Sequence, residues 1–146
     1  RRMGSQLLAD MHIHVNPLIS VSEGHHIGDH VMQVLEEKFK ALSDVVVHID
    51  PEDDLEISNP SGLPLRSEIE EAVRKTLVSS NSGSRSFATG DFSLVLHYVG
   101  GLVIGEVVVA LPSGKSGEAL KDESAALSKK LVEETPLSTV RILYRG

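Results

Sequence analysis

A shift of 96 residues lays the first part of this 146-residue chain over its second part without a gap from Gly4 to Lys40. Gly4 then meets Gly100, Val15 meets Leu111, Val31 meets Leu127 and Leu35 meets Leu131, and one deletion further on Val45 falls on Val140. Few residues are identical. What recurs is an apolar pattern with its turn, which is what two copies of one small module keep in common.

The pattern within each copy is strand, helix, strand. Gln6 to Val15 alternates as a strand does and ends at Asn16-Pro17. Ser20 or Ser22 is placed to cap a helix whose Ile27, Val31, Val34, Leu35 and Phe39 form one apolar stripe. A turn at Ala41 to Asp44 leads to the strand Val45 to Ile49, which stops at Asp50-Pro51 and the acidic run Glu52-Asp53-Asp54. Leu55 to Pro64 reads as a turn-rich boundary. A helix from Leu65 to Ser79 follows, with Ile69, Val73 and Leu77 inward, then a Ser/Asn/Gly-rich loop to Ser86. Strands Phe92 to Val99 and Leu102 to Leu111 hinge at Gly100-Gly101, Glu118 to Glu134 is helical, and Val140 to Tyr144 is the last strand. The stretch from Phe92 to Pro112 approaches membrane-spanning length, but His97, Glu106 and the Gly pair favour two strands around a turn.

This order predicts an α+β chain of two tandem αββαβ modules, residues 1–54 and 63–146. The first is truncated, lacking its leading helix and most of its first strand. Aromatic residues make up 3% of the chain and Trp is absent, so Val, Leu, Ile and Ala must build the core. Asp and Glu outnumber Lys and Arg by 21 to 14, for a net charge of -7. A phosphate backbone is bound through excess Lys and Arg and through stacking rings, so nucleic acid is not the expected partner. Cysteine is absent, which excludes thiolate sites and leaves His and carboxylate as metal donors. The segment after Arg1-Arg2-Met3-Gly4-Ser5 has no apolar signal region and does not read as a secretory leader.

Six of the seven histidines fall in the first copy. His12 and His14, two apart on a strand, face one side of a sheet, and His48 and Asp50 do the same on another strand. On the helix, His25 and Asp29 lie one turn apart, as do His26 and His30. Taken singly, each is an ordinary polar residue of a half-exposed surface. The second copy, however, has Ala110 for His14, Lys121 for His25, Ala125 for Asp29, Leu143 for His48 and Arg145 for Asp50. The joint loss argues that these side chains work as a set. Imidazole and carboxylate together suit zinc, and also Fe2+, Mn2+, Co2+ or Ni2+. Two other motifs carry less. Gly114-Lys115-Ser116 before a helix lacks the upstream Gly of a phosphate loop, and no Ser occupies the strained elbow of a hydrolase, so an enzyme is not expected.

The runs Arg1 to Ser5, Met11-His12-Ile13-His14-Val15-Asn16-Pro17, Ser22 to Asp29 and Asp44-Val45-Val46-Val47-His48-Ile49-Asp50-Pro51 resemble the C-terminal cytoplasmic domain of cation diffusion facilitators. The resemblance covers residues 1 to 54 closely and residues 63 to 146 more faintly, where every ligand position departs from the pattern. It implies a ferredoxin-like, metallochaperone-like fold at the cytoplasmic face of a membrane, attached to transporter helices. It also implies metal bound at His14, His25, His48 and Asp50, with Asp50 able to bridge two ions, and a homodimer whose protomers draw together on binding. The tandem arrangement adds a pseudo-dimer between copies as a second possibility. The rival expectation is a tandem ferredoxin-like sensor of small molecules or an interaction module, with the histidines as plain surface.

Overall fold

The computed structural model describes residues 2–3, 6–52, 62–80, 92–111, 114 and 116–146. The expected turn at Gly4, Asp53 and Asp54 of the acidic run, most of the 55–64 boundary, the loop beyond Ser80, and Lys115 lie outside the described residues. The chain divides into two compact units, Arg1–Asn59 and Pro60–Gly146.

In the first unit the short strand β1 (Arg2–Met3) pairs antiparallel with β2 (Gln6–His14). Helix α1 (Val21–Lys38) then returns the chain so that β3 (Leu42–Asp50) lies parallel to β2, in the order β1-β2-β3. The Ser20 hydroxyl accepts the Glu23 N–H at 3.1 Å and caps α1. Two glycines set the helix close to the sheet. A Cβ on Gly24 would stand 3.2 Å from Ile49 Cγ2, and one on Gly28 would stand 3.4 Å from Ile49 Cδ1 and 3.8 Å from Val47 Cγ1. Val47 and Ile49 therefore point at α1, and strand alternation turns Val46, His48 and Asp50 to the opposite face. The helix packs through small residues as much as through its apolar stripe. Phe39, expected in that stripe, is the C-cap residue and is 54% exposed. Leu42 N–H bonds to Phe39 O at 2.9 Å, so the turn closes early and β3 starts before the expected Val45.

The second unit runs α2 (Arg66–Ser79), β4 (Phe92–Val99), β5 (Leu102–Ala110), α3 (Gly117–Glu134) and β6 (Thr139–Arg145). β4 and β5 are antiparallel, β5 and β6 parallel, in the order β4-β5-β6. Gly100 and Gly101 make the turn between β4 and β5 at φ of 58° and 74°, a left-handed conformation that suits residues without a side chain. The long apolar stretch is thus a hairpin, and no helix among the described residues is long and apolar enough to cross a membrane.

The elements β2, α1 and β3 correspond to β5, α3 and β6. A shift of 96 carries the bounds of β2 and α1 onto those of β5 and α3. Ser116 caps α3 as Ser20 caps α1, accepting from Ala119 N–H at 3.3 Å. The parallel register agrees as well: Ala9 pairs with Val45, and Gly105 pairs with Val140.

Their interiors differ. Ile69, Val73 and Leu77 of α2, all at 0% exposure, join Leu94, Val103, Val107, Val109, Leu131, Leu137 and Val140 in one core. Among the described residues of the first unit the only buried hydrophobic side chain is Val45. Helices α2 and α3 both contribute to the core of the second unit, whereas in the first unit α1 is the helix that packs on the described sheet. Removal of either serine hydroxyl, by Ser20→Ala or Ser116→Ala, is expected to cost about 1 kcal/mol through loss of the helix cap. Chemical denaturation followed by circular dichroism measures that loss, with the Ser20 variant unfolding the thinner unit first.

Candidate metal centre

The parallel pairing of β2 with β3 brings two polar strand faces side by side. His12 is opposite His48, His14 is opposite Asp50, and Asp10 is opposite Val46. Since Val47 and Ile49 face α1, all of these side chains lie on the other face of the sheet. The HxH and HxD edges read from the sequence therefore converge.

The contacts on this face are specific. The His12 and His48 rings stack with centroids 4.7 Å apart and planes 15° from parallel. His12 Nδ1 lies 2.7 Å from Asp50 Oδ2, and an ionised carboxylate can only accept, so the imidazole N–H donates. His48 Nε2 lies 3.1 Å from Asp10 Oδ1. One donor atom from each of Asp10, His12 and His48 comes within 4.8 Å of the others, and these three residues are exposed. Asp50 is the sheltered member, its side chain 17% exposed.

The four ligand positions expected from the sequence are distributed along one end of the unit. His14 closes β2 and Asp50 closes β3, as register partners. His48 is one strand repeat earlier on the same face. His25 is in the first half of α1, next to Gly24, whose contact with Ile49 fixes this turn of the helix over the end of β3. The His25 ring is engaged locally, with Nε2 3.5 Å from Asp29 Oδ2. Of the four, only His48 belongs to the close cluster. Sequence reasoning missed Asp10, although the same alternation that singled out His12 and His14 extends one step back to it.

In the second unit the corresponding face carries Glu106, Val108 and Ala110 beside Arg141, Leu143 and Arg145. Glu106 is neutralised by Arg141, with Nη1 2.9 Å from Oε1. The positions of Asp10 and Val46 in the first unit are those of Glu106 and Arg141 here, so the guanidinium has an apolar side chain in its place.

Residues 1–52 match the family model of the cation efflux protein, cytoplasmic domain. Over 145 residues the chain is 26% identical to metal tolerance protein C1 of Arabidopsis thaliana, an alignment that takes in 93% of this chain and 30% of that protein. The chain thus spans about a third of the length of this curated relative. No solved structure matches it.

Proposed function

We propose that this chain is the metal-responsive cytoplasmic portion of a cation efflux transporter, and that its first unit binds a divalent cation, zinc above all, through His14, His25, His48 and Asp50. The observation that carries the reading is the parallel register, which aligns His14 with Asp50 and His12 with His48 on one exposed face. Imidazole nitrogen and carboxylate oxygen from three separate elements offer the mixed donor set that zinc takes, and cobalt, nickel, manganese or iron accept the same set. The family match over this unit supports the same assignment.

The second unit is proposed to be a ferredoxin-like copy of the first, in tandem with it, that has lost its ligands and kept its fold. The shared element bounds, caps and register support this. Its well-filled core suits it to a structural part, and a homodimer or a pseudo-dimer between the copies is the proposed assembly. An ion that neutralises Asp50 and its neighbours reduces repulsion between acidic surfaces and so favours one arrangement of protomers. The membrane helices that such an arrangement would influence belong to the proposed parent transporter.

Small-angle scattering on the full chain with and without zinc tests the reading. A zinc-dependent change in shape or mass is expected; superimposable curves at saturating zinc would contradict a metal-driven rearrangement. Acid is expected to weaken binding, because a protonated imidazole has no lone pair for the metal and free imidazole side chains titrate near about pH 6.5. Zinc titrations from about pH 5.5 to about pH 7.5, either side of that value, should show affinity rising with pH.

A further inference from the structure

Beyond the ligand set proposed above, we infer that Asp10, His12 and His48 form a second divalent-metal position on the open face of the first sheet, with Asp50 as the outer partner that orients His12. It shares His48 and Asp50 with that set and adds Asp10 and His12, which that set does not include.

Three donor atoms lie within 4.8 Å of one another on two hydrogen-bonded strands, a rigid platform that needs little rearrangement to take an ion. His12 gives its Nδ1–H to Asp50 at 2.7 Å, so Nε2 is the ring nitrogen that carries the lone pair in this tautomer. A carboxylate on the far nitrogen is the arrangement that fixes the tautomer and raises the basicity of a metal-binding imidazole. Three protein ligands with solvent on one side leave room for water to complete a tetrahedron.

Charge points the same way. The matched carboxylate of the second unit, Glu106, is held by Arg141. In the first unit Asp10 and Asp50 both meet imidazoles instead, and Val46 stands where the guanidinium would be. Two carboxylates and two stacked rings, without that fixed cation, concentrate negative charge and lone pairs where a divalent ion supplies the missing positive charge. The competing account is a cross-strand pair of rings held by hydrogen bonds alone, which needs no ion.

The test is cobalt(II) titration of the full chain, read by the visible d–d absorption and by calorimetry. His12→Ala and Asp10→Ala are each expected to weaken one binding event by at least the ~10–100-fold that loss of an outer partner alone costs. The double variant His14→Ala/His25→Ala should retain that event. These side chains are exposed, and far-UV circular dichroism checks that each variant stays folded. Wild-type affinity and stoichiometry in both strand variants overturn the inference, as does loss of the same event in the double variant; the latter result leaves the reading at the strand ends standing. Absence of any cobalt binding by the wild type overturns both.

Discussion

Truncation of Leu131 to Ala is expected to destabilise the second unit by about 2–5 kcal/mol. Leu131 is at 0% exposure in a core that two helices and three strands build, shared with Val107, Leu137 and Val140, so its removal leaves an apolar space that the surroundings fill only in part. For a domain of this size a loss of about 3 kcal/mol lowers Tm by roughly 12–24 °C. The matched change in the first unit, Leu35→Ala, should cost less, because Leu35 is half-buried and a side chain that keeps contact with water loses less on removal. Val132→Ala, one residue along but 39% exposed, is the control and should shift stability by no more than about 0.5 kcal/mol. Denaturant unfolding of the three variants measures the series. Equal losses at 35 and 131 would mean that α2 does not seal the second core in the way described.

Much of this fold is legible in the residues because period and punctuation agree. Ile69, Val73 and Leu77 recur every fourth residue, and all three are fully buried. Gly100-Gly101 marks a hairpin, and both residues take the left-handed backbone that only such a pair adopts readily. Less legible is what depends on close approach. Gly24 and Gly28 look like weak points in a helix, yet they bring α1 onto Ile49 and Val47; no apolar periodicity reveals a contact made by the absence of a side chain. Phe39 continues the stripe in sequence but falls at the cap, where the helix has already ended.

The candidate site is divided in the same way. Strand alternation alone places His12 with His14 and His48 with Asp50, since spacing by two fixes the face. It does not fix the register between strands, and the register decides that His12 meets His48 while Asp50 reaches back to His12. Asp10 was within reach of the same rule. His25 illustrates the limit: helical spacing pairs it with Asp29, as observed, but the distance between a helix and a sheet is set by packing and not by periodicity.

A second large effect is expected from zinc itself. A ligand that binds only the folded state stabilises it by about 2.7 kcal/mol at 100 times its Kd. In a unit of this size that corresponds to a rise in Tm of roughly 10–20 °C. The first unit, with Val45 as its only buried hydrophobic among the described residues, has little core of its own, so the metal should account for much of its resistance to heat. The second unit, lacking the ligands, should melt at the same temperature with or without zinc. Differential scanning calorimetry with both transitions resolved checks this, and a zinc-induced shift confined to the second transition would be inconsistent with the site as described.

Isothermal titration of zinc into the full chain and into the His48→Ala/Asp50→Ala variant is the most direct measurement, since these two residues link the strand-end ligands to the sheet-face cluster. At least one saturable zinc ion per chain is expected in the wild type, with that heat abolished in the variant. Binding of equal stoichiometry and affinity in the two proteins would contradict a metal centre on this face.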